Sequence, residues 1–326
     1  MSSTTDAELL YLPDAEAHRF LPEGPTPLGP GRFSWVAIQH GPKASTGSLN
    51  IFDVTSRQNQ SFNLPGRPGF AKPSSDEQTF LVGCERQLGL FHIGDNTWNV
   101  LESNIDTNVA GTIINDATLF GNNLIFGTKD LEFKTKKAGL YLYRGCSDGP
   151  SPGELFCLRN DQICSNGKVV IDTGSAELHL YDIDSPTRTV VRYRLNVEQG
   201  TLSPAEVILD LTELESVPDG MTPTPDGDSV IISFYNPNPA EFGETRQYNL
   251  RTAQLEHTWR TPLSPQPTCP ALLPMPDGSV KLIITTAVEH MPAQRRSQSP
   301  HAGGLFIADT PFTLVPSQPR WPARPL

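Results

Sequence analysis

The stretch LESVPDGMTPTPDGDSVIISFY, Leu214–Tyr235, carries Pro-Asp-Gly twice within ten residues. The second copy, Pro225-Asp226-Gly227, is a turn by composition. Asp bonds its own backbone two residues on, and Gly accepts the left-handed conformation. The β-branched and aromatic run Ser229–Tyr235 follows it at once and reads as a strand. The first copy, Pro218-Asp219-Gly220, opens no such run. Asp219 therefore calls for a purpose other than turning the chain.

The pattern of Ser229–Tyr235 recurs along the chain. Comparable runs stand at 31–38, 78–84, 123–129, 177–183 and 279–287, most of them after a Gly, Asn or Asp turn signal. Each is followed by a second run with apolar/polar alternation, at 48–54, 88–93, 139–143, 190–195, 245–250 and 304–309. The units start about 40 to 55 residues apart, a period that antiparallel strands produce in propellers. Each unit exposes apolar faces that its neighbours must cover, so the units pack into a ring. The expected fold is all-β, a six-bladed β-propeller of antiparallel strands around a central tunnel. Residues 21–326 are expected to form one propeller domain, and residues 1–20 an N-terminal extension able to supply a closing strand. A two-sheet sandwich fits so many strand pairs poorly, and Trp-Asp repeat signatures are missing.

Composition agrees. The 326 residues include 26 Gly and 31 Pro spread along the chain, as short strands and tight turns require. A net charge of −11 argues against nucleic acid or an anionic membrane as partner. Five cysteines without a C-x-x-C pair imply neither a disulfide framework nor a thiolate zinc site. The polar N-terminal segment lacks an apolar signal core, and no apolar run approaches the roughly 20 residues of a membrane span. The expectation is a soluble, cytoplasmic protein. The seven histidines show no metal-ligand spacing, and G-x-S-x-G is absent, which leaves a serine-hydrolase elbow unsupported.

Strands entering a propeller tunnel can bring polar side chains from distant blades to one mouth. The places to search are therefore just upstream of the first run in each unit. Glu23 lies there in Glu-Gly-Pro, Asn115 in Asn-Asp, Asn166 in Asn-Gly, and Asp219 in the first Pro-Asp-Gly. Without further context these residues read as turn or loop-capping side chains.

The segments PEGP, IIND…GNNLIFGTKD, CSNG…LYDIDSPTRTVVRYRLN, VPDGMTPTPDG and PTCPALLP…LIITTA…HAGGLFIAD follow one another from about Glu23 to Asp309. Together they resemble the gluconolactonase, senescence marker protein (regucalcin) and luciferin-regenerating enzyme family. The resemblance implies one divalent cation held by Glu23, Asn166 and Asp219, with Asn115 as a substrate or metal-shell residue. It also implies Glu132 near the substrate entrance. Two carboxylates and a carboxamide are hard oxygen donors, suited to Ca²⁺ first, with Mg²⁺, Mn²⁺ or Zn²⁺ as alternatives. An open site of this kind can polarise a carbonyl oxygen and activate water. The expected activity is metal-dependent hydrolysis of a small-molecule lactone or ester, with Asp219 as ligand and candidate general base. A cation-binding or regulatory propeller without turnover is the alternative, and a protein-interaction scaffold a third reading. The sequence departs from the family pattern at Ile113, where an Arg is common. It departs again at Ala117, Thr118 and Leu119, and in a slightly longer segment between Asn166-Gly167 and Asp184-Ser185. The metal cage looks kept while the substrate-facing part has changed.

Overall fold

The computed structural model describes residues 2–145, 153–174 and 177–322, and Cys146 lies outside them. The backbone forms six separate antiparallel sheets, one per sequence repeat, and the fold is a six-bladed β-propeller. The strands cluster into two compact units. The first comprises residues 1–68 and 213–318, the second residues 69–212 and 319–326.

In the first unit, one sheet runs from Pro22–Gly29 through Arg32–Ala37 and Ser48–Asp53 to Gln58–Asn63. A second runs from Val217–Pro223 through Ser229–Tyr235 and Phe242–Asn249 to Leu255–Pro262, and Ser3–Asp6 adds a parallel fifth strand. A third holds Pro267–Pro274, Val280–Thr286 and Leu305–Asp309, and its outer strand, Glu8–Tyr11, comes from the N-terminal segment. Apolar side chains from neighbouring sheets interlock here. Phe33, Trp35 and Phe52 pack against Leu273, Ile283 and Leu305. Trp35 is wholly buried, and its indole N–H finds Asn59 Oδ1 at 3.0 Å.

The second unit follows the same plan over residues 69–102, 112–162 and 165–210. Phe70, Leu81 and Leu88 pack with Ile114, Phe126 and Tyr143, and Trp321 closes the same cluster. Leu140 and Leu142 pack with Leu180, Tyr193 and Leu195. Fully burying such side chains stabilises the fold by roughly 1.5–3 kcal/mol each.

The two runs read from each repeat are the middle strands of each sheet. The first strand of each sheet did not read as a strand. Val217–Pro223 is VPDGMTP and Pro267–Pro274 is PTCPALLP, and their prolines mimic loop sequence. Five of these first strands also carry a β-bulge, in the sheets that begin at Pro22, Thr112, Ser165, Val217 and Pro267. A bulge breaks the period-2 alternation by which a strand is recognised. The second Pro-Asp-Gly is a turn: Asp226 Oδ1 accepts the Asp228 N–H at 3.0 Å, and Gly227 has φ +74°. Among the described residues no helix is long and apolar enough to cross a membrane, and no cysteine forms a disulfide.

Candidate functional site

Glu23, Asn115, Asn166 and Asp219 sit in or beside those bulges. Asn115 and Asp116 occupy the irregularity between Ile114 and Ala117. Asn166 and Gly167 occupy the one between Ser165 and Lys168, and Asp219 and Gly220 the one between Pro218 and Met221. Glu23 precedes the Gly24-Pro25 bulge of its strand, where Gly24 has φ +56°. A bulge turns a side chain out of the alternating pattern, which is why these polar groups are not simply core or surface residues of their strands.

In the second unit, two of the predicted residues meet. Asn115 Nδ2 donates to Asn166 Oδ1 at 2.6 Å and to the Ser165 carbonyl at 3.0 Å. Asn166 Nδ2 donates to Ser185 Oγ at 2.8 Å. Both amides are buried, and these bonds fix which end of Asn166 is oxygen. Its carbonyl oxygen has two lone pairs, and Asn115 uses one. Close backbone approach presses on the same place, since a Cβ on Gly69 would lie 2.2 Å from the Asn115 carbonyl oxygen. Asp116 turns to the backbone instead, accepting the Ala117 N–H at 2.7 Å.

A second layer holds this pair, and sequence reading missed most of it. Asp184 Oδ1 accepts the N–H groups of Ile163 at 3.1 Å and Cys164 at 2.8 Å. Ser185, the next residue, steadies the Asn166 amide. Behind Asn166, the buried Lys168 ammonium donates to the Asn166 carbonyl and stands 3.8 Å from Asp182 Oδ1. Gln162 Nε2 donates to Asp182 Oδ2 at 2.5 Å. Burial pushes the Asp182 carboxyl above the usual carboxylate range, against the pull of Lys168 and Gln162. The Asp184-Ser185 dipeptide was visible as a motif, but its contact with Asn166 was not. Lys168 and Asp182 gave no signal, because buried charges look like surface charges in a sequence.

Glu132 stands elsewhere. It lies in the loop after Asn123–Asp130, with its side chain 73% exposed and paired at 3.6 Å with Lys134 rather than with either asparagine.

In the first unit, Glu23 and Asp219 are tied to one intervening strand, Pro267–Pro274. Thr268 Oγ1 donates to the carbonyl of Pro22, beside Glu23, at 2.7 Å. A Cβ on Gly220, beside Asp219, would stand 2.5 Å from Cys269 Sγ. Consecutive residues of one bulge therefore hold the neighbours of both carboxylates. Glu23 Oε2 accepts the Gly24 N–H at 3.1 Å. Asp219 is only 8% exposed. Burial drives the Tyr235 phenol well above its ordinary pKa, with the Glu289 and Asp219 carboxylates adding to the shift.

Among the described residues no three His, Cys, Asp or Glu side chains cluster in a way that could hold a metal ion. The donors present are nonetheless of the type a hard cation takes: two carboxylates, one of them buried, and an amide oxygen with a lone pair to spare.

Residues 21–288 match the model of the SMP-30/Gluconolactonase/LRE-like region. The chain is 28% identical over 283 residues to a Bacillus subtilis (strain 168) protein named "Putative sugar lactone lactonase YvrE", covering 85% of this chain and 87% of that one. Among solved structures, a calcium-binding protein, regucalcin from Agrobacterium tumefaciens strain C58, superposes with a TM-score of 0.77 at 20% identity. That match covers 94% of this chain and 95% of the other. A luciferin-regenerating enzyme superposes with a TM-score of 0.75 at 15% identity, over 95% and 98% of the two chains. At these identities the structural likeness speaks for the fold.

Proposed function

Because the chain belongs to the SMP-30/Gluconolactonase/LRE-like family, we propose that it is a hydrolase that opens a lactone with the help of one divalent cation. Glu23, Asp219 and Asn166 are the proposed ligands, with Ca²⁺ the preferred ion. Asn115 is the proposed contact to the substrate or the metal shell, and Glu132 a contact at the entrance. The observation that carries the reading is the Asn115–Asn166 pair, two amides 51 positions apart in sequence, joined at 2.6 Å and braced by Ser185. Satisfying a fold does not require two bulges to aim carboxamides at one another. When bound, the cation supplies electrophilic polarisation of the lactone carbonyl.

The chain's own groups do the rest. Asn166 keeps an oxygen oriented, and Asn115, held to the Ser165 carbonyl, keeps its amide in place. The Asp219 carboxylate, largely shielded from solvent, is the proposed base. It takes a proton from the attacking water as the water oxygen bonds the acyl carbon. The ring C–O bond then breaks, and the proton held by Asp219 passes to the ring oxygen, which leaves as the hydroxyl of a hydroxy acid. A lactone-turnover assay before and after EDTA, with Asp219→Ala alongside, tests the reading. Loss of turnover in both treatments supports it, and full activity surviving both rejects it.

One observation favours a second reading. Ile113 is buried and apolar where the family commonly has Arg. A cation-binding module without turnover would bind Ca²⁺ calorimetrically and open none of a broad lactone panel.

A further inference from the structure

Lys129 is a largely buried residue whose ammonium makes no ion pair among the described residues. It lies in the strand Asn123–Asp130 and is 6% exposed. Its ladder partner is Ile113, and it bridges the backbone of Cys164, two residues before Asn166. Residues directly opposed in an antiparallel ladder project to the same face, so the group beside Lys129 on that rung is apolar. Its ammonium lies 5.7 Å from the centroid of the Phe133 ring. Among the described residues it has no hydrogen-bond or carboxylate partner.

The adjacent carboxylate cannot serve. Asp130 alternates to the other face. It is already filled by the Lys137 ammonium at 3.0 Å and by the N–H groups of Glu132, Lys134 and Thr135. An ammonium without a carboxylate partner in the fold is available to a negative charge brought by a ligand. In the loop after Asp130, Leu131 and Phe133 are each 40% exposed. A single compact ammonium neutralises one negative charge, which fits a carboxylate. Phosphate carries nearer two negative charges, of which one ammonium neutralises only a part.

We infer that Lys129 is a specificity residue that receives the carboxylate of a lactone bearing a second acidic group, making an anionic lactone the preferred substrate over a neutral sugar lactone. The inference rests on the hydrolase reading above, and its test separates the two. Wild-type protein is assayed on a lactone carrying a ring carboxylate, on its neutral methyl ester and on a phosphorylated lactone. The expected order places the carboxylate first, with a preference that shrinks as salt is added. Lys129→Met, which keeps the volume, should raise KM for the acid by about 10- to 100-fold, the worth of a charged hydrogen bond, with the ester unaffected. Lys129→Arg should recover most of the loss.

Equal or better use of the ester by wild type overturns the inference, as does an equal loss on both substrates in Lys129→Met. A preference for the phosphorylated lactone overturns the carboxylate assignment. If no lactone is opened, the hydrolase reading fails alone. Calorimetry with the ring-opened dicarboxylate then decides the matter for Lys129. Binding that weakens in Lys129→Met sustains the inference, and no binding overturns it.

Discussion

The hydroxyl of Ser185 accepts a hydrogen bond from Asn166 Nδ2 at 2.8 Å, while Asn115, itself oriented by the Ser165 carbonyl, donates to the oxygen of the same amide at 2.6 Å. Ser185→Ala removes one of the bonds that hold the amide in place. Groups of this supporting kind typically change activity or metal affinity by about 10- to 100-fold when removed, while one lost hydrogen bond costs roughly 1 kcal/mol of stability. The expected outcome is a large fall in lactone turnover with a small fall in Tm. Equal and small effects on both would leave Ser185 with no role at the site.

Asp219→Asn keeps the shape of the side chain but removes a base and a charged donor. Turnover is expected to drop by at least about 100-fold, in line with loss of a general base. Calcium affinity measured by calorimetry should drop with it. Unchanged calcium binding in this variant would remove Asp219 from the proposed ligand set.

Gly69→Ala tests how closely the chain approaches Asn115. The new Cβ would lie 2.2 Å from the Asn115 carbonyl and 2.5 Å from that of Ile114, both backbone atoms that cannot rotate away. Overpacking of this kind costs about 1–3 kcal/mol. Denaturant melts should show that loss, and turnover should fall beyond what instability explains, because the displaced strand carries Asn115.

Asp130 makes a prediction about acid stability. Burial works to raise its pKa, but the N–H of Thr135, the Lys137 ammonium and the N–H groups of Glu132 and Lys134 outweigh it and hold the carboxyl well below the usual carboxylate range. A depressed folded-state pKa stabilises the protein above the unfolded value, near 3.8, and that contribution is lost as pH falls below it. Asp130→Asn should therefore be destabilised at neutral pH, by about 3 kcal/mol for a broken buried pair. Its unfolding free energy should change less than that of wild type between neutral pH and pH 3. Parallel pH profiles for the two proteins would contradict the assignment.

A phenol gives the opposite sign. The Tyr235 pKa is raised by burial and then by the Glu289 and Asp219 carboxylates, above its ordinary 10.0. Its contribution to stability is complete below pH 10 and is lost as pH rises toward the folded-state value. Tyr235→Phe should flatten the alkaline limb of the stability profile and leave the acid limb alone, as followed by circular dichroism.

The middle strands of each sheet were legible because their composition and turn signals depend only on neighbours in sequence. Ser229–Tyr235 behind Asp226-Gly227 is the plainest case. The first strands were not legible. Pro218-Asp219-Gly220 and Pro267-Thr268-Cys269 have loop composition, and only pairing with the next strand makes them extended backbone with a bulge. Candidate residues placed in loops upstream of the strands therefore turned out to lie within or beside bulges. Glu132, chosen by motif position, sits in solvent, and Lys129, three residues earlier, drew no attention.

By itself the sequence determined the repeat, the strand pairs and the short list Glu23, Asn115, Asn166 and Asp219, since periodicity and donor chemistry are written in residue type and spacing. The folded chain alone decided that Asn115 meets Asn166, that Ser185 orients the amide, that Asp130 is neutralised by Lys137 and that Lys129 is not. Hydrogen bonds and desolvation act across a few ångströms of space, and in a β-sheet protein those ångströms join residues that ladder register and bulges bring together, whatever their distance along the chain.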